Sequence, residues 1–272
     1  MTSGFPTTPP AGFEGVRAAT WRKVADTTGY LSEREARFLM LLAACTPADG
    51  VILEIGSFKG RSTVALASIA KHYDRGKVIA VDPHTAPSAT DPDLQGQTTS
   101  FDDFLSNVHR AGVADVVEPH RMYSRELAPN FDRPIRVLWI DGDHTTEGAR
   151  EDVKLFRPFL QPSGILAMHD VLGTWEGSLR VFCEDVLDSD DFGPAGFSGS
   201  IGWAQYRPAD GSAARFRLRR ELLAIPARQL IPVAASGRGL VGFNKLRYKL
   251  WRPLAPHGDV DPAKWLREVT SA

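Results

Sequence analysis

The strongest constraint on this chain is an alternation. Between residues 51 and 168, short apolar runs rich in β-branched residues are separated by stretches of helical periodicity, the pattern of a sheet whose strands are joined by covering helices. Five runs read as strands: Val51 to Ile55, Lys77 to Val81, Val116 to Glu118, Val137 to Ile140 and Ile165 to Met168. They are apolar at nearly every position, so both faces are buried and the strands run parallel. Helices are expected over Ser62 to Tyr73, Phe101 to Ala111 and Thr146 to Phe159, with a short one near Ser124. Upstream, Ser32 and Glu35 make a capping box that opens a helix with Ala36, Leu39, Met40 and Ala43 on its apolar side. Downstream, a helix around Leu179 to Leu187 precedes Phe197 to Tyr206, a glycine-containing stretch that suits a closing antiparallel hairpin.

The expected fold is therefore α/β: a Rossmann-like, doubly wound, mostly parallel seven-stranded sheet with an N-terminal helical extension and a basic C-terminal extension. A length of 272 residues accommodates one such domain with appendages. Residues 1–30 read as a flexible arm, because the first fifteen are rich in Pro, Gly and Thr without periodicity; residues 31–208 form the domain and 209–272 the extension. Residues 211–272 carry 12 Lys/Arg against 4 Asp/Glu, which leaves the tail at +8 and the body at −9. Such asymmetry points to an anionic contact, to docking on the acidic body, or to a partner subunit, and a homodimer is expected. Hydrophobic residues at 43% and charged residues at 24% suit a globular chain that folds without disulfides. Cys45 and Cys183 accordingly read as core thiols. No stretch reaches the roughly 18 apolar residues of a membrane span, and no signal peptide is apparent, so the cytoplasm is the expected location.

The first strand runs into Glu54-Ile-Gly56-Ser57-Phe-Lys-Gly60-Arg-Ser62, a glycine-containing turn that opens a helix. Gly56 and Gly60 permit close backbone approach to a ligand, and the helix N-terminus at Ser62 favours an anionic group such as a carboxylate. Asp82 ends the second strand, where an acid commonly bonds ribose hydroxyls. A dinucleotide or S-adenosylmethionine would satisfy these features. The glycine spacing decides between them, because GxxxG preceded by a strand acid departs from the dinucleotide GxGxxG. Glu54 could equally be a buried acid that bonds loop amides.

This E-x-G-x-x-x-G-x-S turn with its strand-two acid resembles the class I methyltransferase motif, in the branch that includes catechol and caffeoyl-CoA O-methyltransferases. The resemblance implies S-adenosylmethionine as cofactor. Ser62 would then help hold the methionine carboxylate and Asp82 the ribose, with the adenine near Arg121 to Ser124. Glu54, Gly56, Ser57, Gly60, Ser62, Asp82, Ser124 and Asp141 make the expected cofactor set.

The fourth strand runs into Asp141-Gly-Asp143-His144 and the fifth into His169-Asp170. Strands one, four and five are neighbours in such a sheet, so these acids and histidines converge beside the cofactor turn. Carboxylates so close call for a cation, and oxygen-rich ligation suits Mg²⁺ or Mn²⁺. A neutral imidazole nearby could take the proton of a metal-acidified hydroxyl. The I-D-G-D-H strand end resembles the metal-dependent O-methyltransferases. That resemblance implies Asp141 and Asp170 as metal aspartates and His144 at the place of the catalytic lysine. The usual Asp-Asn pair is replaced by His169-Asp170-Val171, which makes His169 the candidate third ligand. Asp143 could simply cap the next helix, His84 border the acceptor, and Trp175 wall the pocket or join the core. Related groups methylate macrolide sugars and cell-envelope glycans, so the resemblance implies a small-molecule or oligosaccharide acceptor. Two other readings stand beside it: a metal-dependent hydroxylase or hydrolase on the same fold, and a noncatalytic nucleotide-binding module. The tail shows no recognisable nucleic-acid motif.

Overall fold

The computed structural model describes residues 6–85, 98–208 and 211–271. Seven strands, β1 (Val51–Ile55), β2 (Val78–Val81), β3 (Val117–His120), β4 (Ile135–Ile140), β5 (Leu160–Met168), β6 (Phe192–Ser198) and β7 (Ile201–Tyr206), make one sheet in the order β3-β2-β1-β4-β5-β7-β6. The first five are parallel. The β6–β7 hairpin closes the edge, with β7 antiparallel to both neighbours. The strand order reverses between β1 and β4, and a crevice at the carboxyl edge of such a switch is where open α/β sheets bind ligands. Register is tight there: Ile55 pairs with Ile140 and Ile140 with Met168. Asp141 N–H donates to the Ile55 carbonyl at 2.8 Å and His169 N–H to the Ile140 carbonyl at 2.9 Å. Gly56, Asp141 and His169 therefore leave the sheet side by side.

Alternate strand residues feed two separate cores. Ile52, Val137, Trp139, Ile165 and Ala167 face one side, under α1 (Phe13–Ala25), α2 (Glu33–Cys45), α3 (Arg61–His72) and α4 (Phe101–Ala111). Leu53, Ile55, Leu138, Ile140 and Leu166 face the other, against α5 (Ser124–Leu127), α6 (Thr146–Phe156), α7 (Glu176–Val181), α8 (Arg217–Arg228) and α9 (Ile231–Ala235). The partly buried Tyr248 and Trp251 of α10 (Gly242–Trp251) pack on that second core, whereas Trp265 and Leu266 of α11 (Pro262–Val269) return to the first. The five parallel strands, the closing hairpin and both cysteines follow the sequence reading, although β6 starts at Phe192, before the stretch expected for the hairpin; each thiol is buried, and burial pushes each up to about 12.

The N-terminal stretch departs from that reading, whereas the basic extension takes one of the courses expected of it. Within the stretch read as a flexible arm, residues 13–25 are helical, and Phe13, Thr20 and Val24 are buried. Three buried residues in thirteen make too sparse a stripe to register as amphipathic periodicity. The basic extension is also bound to the body. Arg220, almost fully buried, donates to the carbonyls of Leu187 and Ala213, and Gln205 donates to that of Val269.

Candidate active site

The turn after β1 is built around Asp82. One oxygen of its carboxylate accepts the N–H groups of Ser57 at 2.9 Å and Phe58 at 2.8 Å, and the other accepts His84 N–H at 2.7 Å. The acid expected at the ribose thus first fixes the shape of the turn, which carries Phe58 at φ 45°. Gly56 has a role within the chain itself. A Cβ there would stand 2.1 Å from the Asp141 carbonyl oxygen, so its missing side chain lets the β1 and β4 loops touch each other. Gly60 caps α3 at φ 87°.

Glu54 and Ser62, both in the expected cofactor set, bond to each other. Glu54 is fully buried, and its carboxyl accepts the Ser62 hydroxyl at 2.5 Å and the Thr63 hydroxyl at 2.6 Å. Burial pushes its pKa up to about 8, against these two hydrogen bonds and with a further push from Asp141 and Asp82. Glu54 is a neutral internal brace between β1 and α3. Ser62 can offer a ligand its main-chain N–H in the first turn of α3, where amides lack helical partners. Ser57 Oγ, in the same turn, is buried without a hydrogen-bond partner among the described residues. Ser124 is likewise engaged, donating at 2.5 Å to Asp152, a buried acid raised to about 7 by burial against that same bond.

At the β4 and β5 ends, ligating atoms of Asp141, His144 and Asp170 all lie within 4.8 Å of one another. His144 Nε2 stands 3.3 Å from Asp170 Oδ2 and 3.8 Å from Asp141 Oδ1, buried and without a hydrogen bond of good geometry. The imidazole that joins the two carboxylates is therefore His144. His169, expected as the third ligand, continues the Ile165–Ala167 side of β5 and points under α2. Its Nδ1 bonds Asp141 Oδ1 at 3.1 Å and its Nε2 faces Glu35 Oε2 at 3.8 Å. Burial disfavours the imidazolium, yet Asp141, Glu35 and Asp170 raise its pKa well above the ordinary value. Glu35 is held well below its usual range by His169, Ser32 and the Ser200 amide, which outweigh its burial. Glu35 and His169 thus form a buried pair behind Asp141, between α2 and the end of β5. Asp170 itself sits at φ 57°, a left-handed conformation uncommon for a side-chain-bearing residue.

Two surrounding contacts fix His144. Trp175, 52% exposed, stacks on its ring at 4.9 Å, which makes the tryptophan a wall of the site. Gly177 N–H donates to the His144 carbonyl at 3.1 Å, so α7 abuts the turn. Asp143 accepts Thr145 N–H at 2.8 Å and so braces the start of α6, outside the cluster. His84 is buried and bonded to Ser100 at 2.9 Å. Sequence reasoning missed Glu35, whose capping-box position was its visible role. It also missed Tyr248 and Arg252, which donate to the Leu172 carbonyl, two residues after Asp170, at 2.9 and 3.2 Å.

Residues 53–171, the segment that holds both the turn and the acidic cluster, match the family model Methyltransf_24, described as a methyltransferase domain. That segment is similar to a methyltransferase domain. Solved structures of the same fold include the O-methyltransferase TomG from Streptomyces achromogenes, in complex with SAM, at 19% identity over 74% of this chain and 92% of that one, TM-score 0.51. An O-methyltransferase from Bacillus cereus, in complex with SAH, matches at 19% identity over 72% and 90%, TM-score 0.50. The O-methyltransferase NovP matches at 12% identity over 65% and 81%, TM-score 0.54. At these identities the likeness is one of fold, and at 65–74% of this chain it covers more than residues 53–171.

Proposed function

We propose that this chain transfers a methyl group from S-adenosylmethionine to a hydroxyl of a small polyhydroxylated acceptor, a sugar or glycoside, with Mg²⁺ or Mn²⁺ at the ends of β4 and β5. The observation that carries the reading is the convergence of Asp141, His144 and Asp170 beside the α3 turn, with Gly56 in contact with the Asp141 backbone. The cofactor fits the turn through the free amides at the start of α3 and the orphaned Ser57 hydroxyl, which suit a carboxylate. The neutral Glu54 behind the turn spares that carboxylate a buried like charge. The narrowest form of the reading takes as acceptor the 1-OH of a 3-O-methylmannoside, as in mycobacterial methylmannose polysaccharide.

The donor set fits a hard divalent cation. Mg²⁺ is commonly held by one or two carboxylates plus substrate oxygens, so Asp141 and Asp170 suffice and His144 is left for chemistry. When bound, the ion lowers the pKa of a hydroxyl beside it. His144 Nε2, within 3.3 Å of Asp170 and 3.8 Å of Asp141, is in reach of such a hydroxyl and accepts its proton as the oxygen attacks the methyl carbon. Trp175 holds the imidazole plane, and His169 holds Asp141 in position. An iron hydroxylase on this scaffold would need two histidines and one carboxylate, but His169 faces Asp141 and Glu35 instead.

The test is transfer of labelled methyl to a panel of sugars, methylated mannosides and catechols, with Mg²⁺ and with chelator. Metal-dependent labelling of a sugar, with His144→Ala slowed by on the order of 10²–10⁴-fold and still able to bind cofactor, is the expected result. Full activity in chelator together with an active Asp141→Asn protein would sink the metal reading.

A further inference from the structure

Nine of the twelve large hydrophobic residues that stand exposed among the described residues fall between Leu218 and Leu254, within the extension. They are densest at α10. Phe243 is 73% exposed, Leu246 64% and Leu250 58%, and Leu240 and Val241 precede them on the same segment. At about 100° per residue, the three α10 side chains share a stripe roughly 60° wide. Tyr248 and Arg252, which grip the Leu172 carbonyl, lie on the opposite side of the helix. No residue of α10 is buried, so its apolar stripe is unpartnered among the described residues.

The charge around this stripe has one sign. From residue 222 to residue 258 there are six Lys/Arg and no Asp or Glu. Lys245, Lys249 and Arg238 are exposed and make no ion pair among the described residues. A helix with a narrow apolar face, cationic flanks and low overall hydrophobicity is the form that lies in a membrane interface. An isologous contact with a second copy would press this cationic surface against itself, which like-charge repulsion opposes. Among the described residues no helix is long and apolar enough to cross a membrane.

We infer that the exposed face of α10 docks this enzyme on the surface of an anionic lipid bilayer. Leu240, Val241, Phe243, Leu246 and Leu250 enter the headgroup boundary while Lys245, Lys249 and Arg238 meet anionic headgroups. Because Tyr248 and Arg252 tie the far side of the helix to the loop after Asp170, docking holds that loop about one helix diameter, roughly 10 Å, from the lipid. This surface is independent of the acceptor's identity and of the methyl-transfer reading.

The experiment is co-sedimentation of the full chain with vesicles of phosphatidylcholine alone and with phosphatidylglycerol added, at low and high salt. Three exposed cations at about fivefold each give anionic vesicles an advantage on the order of a hundredfold, reduced by salt. The variant Phe243→Ser/Leu246→Ser/Leu250→Ser should melt as the parent does and lose binding, and Lys245→Glu/Lys249→Glu should lose the preference for anionic lipid. A parent chain that stays in the supernatant with anionic vesicles overturns the inference, as does equal binding by the triple variant. So does a parent dimer that the triple variant dissociates, because the face would then be a protein interface.

Discussion

Replacing Glu54 by glutamine should stabilise the protein at neutral and alkaline pH, although it removes a carboxyl held by two hydrogen bonds. Glu54 is fully buried, its partners are the neutral hydroxyls of Ser62 and Thr63, and its pKa stands at about 8 against an ordinary 4.5. A raised carboxyl pKa means that the folded state keeps a proton that the unfolded chain releases. The stability is complete below pH 4.5 and is lost as pH rises through 8. At 1.36 kcal/mol per unit, the loss between pH 5 and pH 8 is about 3 kcal/mol, a large share of a typical domain's stability. The amide of the Glu54→Gln variant has nothing to ionise, so that protein escapes this loss. It gives up at most about 1 kcal/mol of hydrogen bonding at low pH. Urea unfolding of both proteins at pH 5 and pH 8 reads the effect directly: the curves should nearly coincide at pH 5 and separate in favour of the variant at pH 8. Parallel stability profiles would refute the argument and mean that the folded protein holds Glu54 ionised. Calorimetric titration with S-adenosylmethionine supplies a second readout, because a brace that touches no ligand leaves the affinity within a few-fold of the parent's.

Other perturbations separate the remaining roles. A Cβ at Gly177 would stand 2.3 Å from the His144 carbonyl oxygen, so Gly177→Ala should cost about 1–3 kcal/mol and tenfold or more in rate; an unchanged melt and rate would contradict the close packing of α7. Ser32→Ala removes the capping hydroxyl of α2 and one of the groups that orient Glu35, and should cost about 1 kcal/mol in urea unfolding. Tyr248→Phe deletes a hydrogen bond to Leu172 and should lose about 1 kcal/mol with a fall in turnover, whereas full activity would uncouple α10 from the Asp170 loop.

The sheet was legible because its evidence is local. Five apolar runs and their spacers fix which segments are strands, and the capping box at Ser32 and Glu35 is present as read. The convergence of Asp141 and Asp170 was legible too, since both end strands on the ligand-binding edge. What the sequence hid was the division of labour inside the site. Strand parity turns His169 toward α2 and leaves the following residue, Asp170, to face the crevice, and the partner that makes this sensible, Glu35, lies 134 residues away. Ser62 and Ser124 look like ligand donors in one dimension. Each is bound by an acid that folding brings to it, Glu54 across the β1–α3 turn and Asp152 from α6. Helix α1 escaped notice because it offers only three buried side chains to the core.

The two hydrogen bonds on the Leu172 carbonyl also bear on how the protein is made. Tyr248 and Arg252 lie 76 and 80 residues beyond the carbonyl that they hold, so a nascent chain has the whole sheet outside the ribosome well before the Asp170 loop has its clamp. Catalytic competence is then the last property acquired during synthesis. A ribosome-stalled chain that exposes residues up to 240 should resist protease across the sheet and yet transfer no methyl, and activity in that nascent state would show that the loop sets without its strap.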